Sequence, residues 1–330
     1  MHFARQLLLL VSLARAAQAS ALGVLAAHHA RFWELDSLED YAWLPKTTNL
    51  AGLSAAVGAQ AYLKKLWWER GARAKLRRYE DLDRMERLQK VGDGLVGCYA
   101  ALVHRAATPP CTLAHGDFRL DNMFYFVQSG EIIDWRAVDW QFTGMQRAIV
   151  DVSYFLGLCL TLPAQTHPRL REGGANENEL ELAACHNRLL SGYAQALSFN
   201  GITVEGAKDS AGKDSNLVQY KADFVMGLLL AWATFLFGDA AETTATRASV
   251  GMCTQEELEE QVARVQGDES MEGRMRQVHH VGLSRIGSAI LAHENAVLAL
   301  LRELSTNEAL EQVHGEKPTS ENEEEGGAKM

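Results

Sequence analysis

Two adjacent prolines, Pro109 and Pro110, divide this 330-residue chain into stretches of different secondary-structure potential. Proline lacks an amide donor and biases the residue before it away from the helix, so a helix read over residues 73–105 must stop ahead of "ATPP". On the N-terminal side everything reads as helix: residues 3–33, rich in Ala and Leu, then 53–68, then 73–105, weakened near Gly92 and Gly94. On the other side residues 111–114, 122–127 and 131–139 are short, aromatic and β-branched, and suit small strands around Gly130. From Asp151 helices resume, over residues 152–160, 179–198, 216–237, 254–265 and 271–304, with Gly201 stopping one of them. The expected fold is therefore mainly α with small β-hairpins. Four regions follow: helical residues 1–110, a central 111–160, a second helical part 161–310 and an acidic, disordered tail 311–330.

Composition restricts the function. Hydrophobic residues at 47% and charged residues at 22% are ordinary for a globular protein. The formal net charge is -10, and residues 311–330 carry six Glu against two Lys. An acidic chain is a poor partner for nucleic acid, whose phosphates call for Lys and Arg. Lys64, Lys65, Arg70, Arg73, Lys75, Arg77 and Arg78 form one basic cluster, read as a solvated helix face with Trp67 and Trp68 partly tucked into the core. Five widely spaced cysteines without Cys-x-x-Cys suit thiols in a reducing, cytoplasmic setting. The pairs His28-His29 and His279-His280 are weak metal candidates, because adjacent helical residues point about 100° apart. Residues 1–19 imitate a secretory signal, but the Ala-rich pattern continues to Ala30 and reads as a helix. The apolar run 225–237 is short of the roughly 20 residues that span a bilayer, so it reads as a core helix, and no membrane partner is expected.

The stretch with chemistry in it is "LAHGDFRLDNMFYF", residues 113–126. Two acids, an Arg and an Asn interrupt an apolar run, and buried charge is costly unless paired or coordinated. Downstream lies "AVDWQFTGMQRAIVDVSYFLG", residues 137–157. Together the two stretches resemble the aminoglycoside phosphotransferase and choline kinase-like family, including its ecdysteroid kinase-like branch. The resemblance covers roughly residues 10–240. His115, Gly116, Asp117 and Asn122 match the family's catalytic loop, and Val138, Asp139, Trp140 and Gln141 its metal-binding segment. Asp151, Val152, Tyr154, Phe155 and Leu156 match its following helix start.

The resemblance implies a protein kinase-like fold and ATP-dependent phosphorylation of a hydroxyl on a small-molecule acceptor. Phosphoryl transfer depends on positioning and charge neutralisation more than on covalent chemistry. Asp117 would orient the hydroxyl or take its proton, and Arg119 would face the transferred phosphate. Asn122 and Asp139 would offer oxygens to Mg²⁺, while His115 and Asp151 support the loop. Asp134, in "IIDWR", also fits the metal motif. Asp139 lies twelve residues before Asp151, the customary interval, and Asp134 seventeen.

A complete member also carries a strand-rich N-terminal lobe with a lysine on the nucleotide phosphates. The residues before His115 are helical in pattern, and no nucleotide-binding lysine is found. "GDGLVG", residues 92–97, satisfies Gly-x-Gly-x-x-G but lacks a preceding strand, and reads as a helix irregularity. The expectation is a kinase C-lobe alone, binding Mg-ATP weakly or not at all. The alternatives are an impaired pseudokinase or binding module, and an unrelated helical scaffold.

Overall fold

The structure is a computed structural model, and it describes residues 14–35, 41, 43–44, 50–69, 71–76, 82–128, 131–160, 175–202, 216–242 and 271–306. The helices are α1 (Ala14–Arg31), α2 (Leu50–Trp68), α3 (Ala72–Lys75), α4 (Leu82–Ala106), α5 (Ile149–Cys159), α6 (Ala175–Phe199), α7 (Asn216–Glu242), α8 (Met271–Ala292) and α9 (Glu294–Thr306). Between α4 and α5 run four short strands: β1 (Thr112–Ala114), β2 (Met123–Gln128), β3 (Glu131–Ala137) and β4 (Gly144–Gln146). Among the described residues before Thr112 there is no strand.

Two details of the strands differ from the sequence reading. β2 and β3 form a hairpin, but β1 pairs antiparallel with β4, so the second sheet is not a hairpin. It closes around the first, pairing Leu113 with Met145 across more than thirty intervening residues. "GMQ" is too short and mixed to signal a strand, which is why β4 escapes a pattern search. The expected helix at 254–265 and the acidic tail lie outside the described residues, as do residues 1–13, 203–215, Arg70, Arg77 and Arg78. The expected single helix 271–304 is two, α8 and α9, with His293 between them.

One hydrophobic core runs from Ala21 to Leu304. Its centre is α5 against α7. Residues 149–158 of α5 are all buried, and α7 meets them with Phe224, Val225, Met226, Leu228 and Leu229. A helix apolar on nearly every side belongs in a core, and residues 225–236 are buried there apart from half-buried Leu230 and exposed Thr234. Ser153 joins the two, its hydroxyl donating to Ile149 O at 2.7 Å and Phe224 O at 3.0 Å. Among the described residues no helix is long and apolar enough to cross a membrane.

The "GDGLVG" stretch lies inside α4, and its glycines do not break the helix. Gly92 is where the Trp67 ring packs; a side chain there would collide with it. Asp93 accepts from Trp67 Nε1 at 2.8 Å and from Arg73 Nε at 2.9 Å. The basic cluster is thus partly paired, with Lys64 and Lys65 exposed. Trp67 is fully buried and Trp68 is 56% exposed, so only one of the two enters the core. The irregularity comes later, at Cys98, whose φ of -130° and ψ of 16° are not helical. Gln60 of α2 fills that gap. Its amide donates to Gly97 O at 3.1 Å and its oxygen accepts from Ala100 N at 2.7 Å, satisfying groups the kink releases.

A buried histidine pair makes stability depend on pH. His186 Nδ1 lies 3.1 Å from His293 Nε2, beside the Phe224 ring. Burial, then the neighbouring His293, holds His186 well below the usual imidazole value. Burial, then Lys221, brings His293 down to about 4. Both are neutral when folded, so stability is present above the unfolded value near 6.5 and drains as pH falls toward the folded value. His293 alone should cost about 2 kcal/mol between pH 7.5 and 5. Urea unfolding at the two pH values measures it. A His293→Leu variant with the same loss as the parent would refute the assignment.

Candidate active site

The loop after β1 is pinned from below by Asp151. This carboxylate, in the first turn of α5, is fully buried. Its Oδ2 accepts from His115 N at 2.7 Å and its Oδ1 from Gly116 N at 2.8 Å. His29 Nε2 reaches the same Oδ2 at 3.1 Å, and His29 Nδ1 meets the Tyr193 hydroxyl at 2.7 Å. Burial pushes the Asp151 carboxyl up, but His29 and the two amides outweigh it and hold the group below its ordinary value. Burial pushes the Tyr193 hydroxyl well up. With Nε2 protonated, His29 donates to Asp151 and accepts the Tyr193 proton at Nδ1, so both ring nitrogens have partners.

The loop then turns through Gly116, whose φ is +82°. A Cβ there would also strike the Phe142 carbonyl, so only glycine lets the loop lie against the turn at 140–142. His115 lies beneath: Nε2 donates to Val138 O at 2.9 Å, Nδ1 accepts from Asp117 N at 3.3 Å, and the ring lies 4.5 Å from that of Trp140.

Asp117 is buried, and its carboxylate is surrounded by donors. Asn122 Nδ2 donates to Asp117 Oδ2 at 2.8 Å and to Asp117 O at 2.9 Å. Arg119 Nε stands 3.4 Å from Asp117 Oδ1, off the line of a hydrogen bond. The Tyr154 hydroxyl, on α5 one turn beyond Asp151, also bonds Asp117; burial and then the carboxylate's charge push that hydroxyl far up.

Asn122 joins this loop to the downstream segment. It ends a single 3₁₀ turn (Leu120–Asn122), and its carbonyl accepts from Val138 N at 2.9 Å. The next residue, Asp139, is exposed and has a φ of 64°, uncommon for a residue with a side chain. Gln141 Nε2 approaches its carboxylate at 3.5 Å. Asp134, by contrast, lies within β3, paired with Phe126.

Asn122 and Asp139 offer hard oxygen donors of the kind Mg²⁺ takes. Mg²⁺ is usually held by one or two carboxylates, waters and substrate phosphates rather than by a protein cage. One carboxylate and one amide oxygen are donors of that kind; among the described residues no group of three or more His, Cys, Asp or Glu could hold a metal.

Three supports were not read from the sequence: His29 beneath Asp151, Tyr154 on Asp117, and His28, whose Nε2 lies 2.9 Å from Leu113 O. The signal for the histidines was the pair itself, because polar side chains inside an apolar helix need partners.

A mainly helical chain with two small antiparallel sheets is consistent with a kinase-like family. The model of the ecdysteroid kinase-like family matches residues 61–169, about a third of the chain and the part that contains the loop. That is the family branch which the motifs resemble. No curated protein and no solved structure matches the chain.

Proposed function

We propose that the chain is a small-molecule phosphotransferase that uses Mg-ATP to phosphorylate a hydroxyl. The observation that carries the reading is Asn122, whose side chain holds Asp117 while its carbonyl is bonded next to Asp139. Proton-accepting carboxylate and metal-binding carboxylate are thereby tied to one residue. ATP would supply the γ-phosphoryl group, with Mg²⁺ neutralising its charge. Asp117 orients the acceptor hydroxyl and takes its proton as the oxygen bonds to phosphorus and the bond to ADP breaks. Arg119 faces the transferred group, and Asn122 and Asp139 hold the metal. His115 and Asp151 keep the loop in place. The described cysteines form no disulfide, which suits a cytoplasmic protein.

A second reading, a pseudokinase or binding module, is favoured by one observation. Among the described residues before Thr112 no strand presents a lysine to the phosphates, as a kinase N-terminal lobe does. The chain would then carry the C-lobe part of the fold alone. Titration of the full chain with ATP, with and without Mg²⁺, separates the two. The phosphotransferase reading expects weak, millimolar binding that needs the metal and falls at least about tenfold in Asp139→Ala. No binding, or binding indifferent to both changes, favours the second reading.

A further inference from the structure

The Asp151 carboxylate under the loop is itself held, through His29, by a residue of a different helix. Tyr193 lies on α6, which packs along α1. Its hydroxyl meets His29 Nδ1 at 2.7 Å, and His29 Nε2 meets Asp151 Oδ2 at 3.1 Å. Asp151 ends the row on two backbone amides, His115 N at 2.7 Å and Gly116 N at 2.8 Å. Tyr193, His29 and Asp151 are each 0% exposed, so solvent does not stand in for a missing link. The last turn of α1 grips the strand before the loop as well. Thr112 Oγ1 donates to His29 O at 2.8 Å, and His28 Nε2 lies 2.9 Å from Leu113 O.

Part of this is ordinary core chemistry, since buried polar groups pair wherever they can. Pairing alone, however, asks only that the phenol and the imidazole each find some partner. Here the bonds run in one direction. Burial, then Tyr220 and the Asp151 charge, keeps the Tyr193 hydroxyl protonated, so it donates. A ring nitrogen that accepts leaves the imidazole proton on the other nitrogen, which faces the carboxylate. Donation into one end of such a row strengthens the bond at its far end. Among the described residues the Tyr193 hydroxyl bonds His29 alone, and the only side chain that bonds the Asp151 carboxylate is His29. Asp151 in turn fixes the two residues that precede Asp117.

We propose that Tyr193 is a positioning residue for the loop that carries Asp117, acting through His29 and Asp151 on the amides of His115 and Gly116. Without its hydroxyl the His29 ring stays in the core but loses the bond that fixes its rotation, and the Asp151 carboxylate turns with it. A residue that only filled the core would spread its loss over the whole protein; a positioning residue sends it into the loop. This relay stands independently of the reaction, and its consequence for turnover rests on the phosphotransferase reading. Asp117 follows Gly116 directly, and a shift of about 1 Å in a reacting group costs up to about 10²-fold in rate.

Tyr193→Phe in the full chain is the test, because it removes one oxygen and keeps the ring against Tyr220. Amide exchange, read residue by residue by NMR, should quicken at His115 and Gly116 at least about tenfold more than in α5. Equal quickening in both places, or none in the loop, overturns the proposal. His29→Gln cuts the link to Tyr193 while its amide nitrogen still reaches toward Asp151. In that background Tyr193→Phe should change loop exchange less than about twofold, and a full, independent effect overturns the route through His29. If Tyr193→Phe does not fold, the parent decides. Its imidazole nitrogen signals should place the His29 proton on Nε2 at neutral pH, and a proton on Nδ1 overturns the relay. Where the parent turns over ATP, kcat in Tyr193→Phe should fall at least about tenfold with KM for Mg-ATP within about threefold. An unchanged kcat overturns the positioning role. Loop exchange that responds to Tyr193→Phe in a chain that ignores Mg-ATP keeps the relay and sinks the phosphotransferase reading.

Discussion

Asp151→Ala should destabilise the protein by about 3–5 kcal/mol, because buried donors left without their acceptor cost about 1–3 kcal/mol each. The substitution strands three groups at once: the amides of His115 and Gly116, and His29 Nε2. All lie where water does not replace the lost acceptor, so each bears its desolvation cost in full. Urea unfolding reads the change in stability, and faster amide exchange at His115 and Gly116 locates it. Asp151→Asn is the milder case, since one oxygen still accepts. The sign with pH follows from the depressed folded value of Asp151. Its stabilisation is fully present above the ordinary carboxylate value, 3.8, and is lost as pH falls through the lower folded value. The stability gap between the parent and Asp151→Asn should therefore be constant near neutrality and shrink in acid below about pH 4. A gap independent of pH would mean that Asp151 is not ionised in the folded protein.

The part of the site legible in the sequence is the part that is local in the chain. His115 to Asn122 and Val138 to Asp151 are brought together by one hairpin, so their spacing carries geometric information. The groups that escaped reading come from elsewhere. His29 arrives from α1, and no spacing rule relates it to Asp151. Tyr154 sat in view within "DVSYFLG", yet an aromatic in an apolar helix first reads as core. Its ring does stack on Phe235, at 6.1 Å; only the hydroxyl does something else. In the fold, helix existence followed from apolar periodicity and the proline stop. The α4 kink did not, because glycine at Gly92 and Gly94 looked like the weak point. Packing against Trp67 and Leu301 holds both in place, and the break falls at Cys98, where Gln60 of another helix supplies the missing bonds. Propensity gave way to tertiary contact there.

Asp117→Asn should lower metal-dependent turnover of ATP by about 10²–10⁴-fold, the range of a positioned acid–base group. Volume hardly changes, so the loop should keep its course. Asn122 Nδ2 still finds an oxygen at position 117, and the Gly116, His115 and Asp151 bonds do not involve the substituted atoms. The new amide nitrogen, however, must stand where a donor now meets the carboxylate, Asn122 Nδ2 on Oδ2 or Arg119 Nε 3.4 Å from Oδ1. Arg119 makes no hydrogen bond through that Nε, so the amide should settle with its nitrogen on the Arg119 side. That rearrangement should cost about 1–2 kcal/mol of stability, readable by urea unfolding. Mg-ATP affinity should stay within about threefold, because Asn122 and Asp139 are untouched. The measurement pairs initial rates, with water and a panel of small-molecule alcohols as acceptors, with a Mg-ATP titration of the same preparation. A large rate loss with binding intact is what a proton-accepting, hydroxyl-orienting carboxylate predicts, since it acts on the transition state rather than on the nucleotide. Equal losses in rate and nucleotide affinity would instead make Asp117 a metal ligand, and full turnover in the variant would remove it from the chemistry.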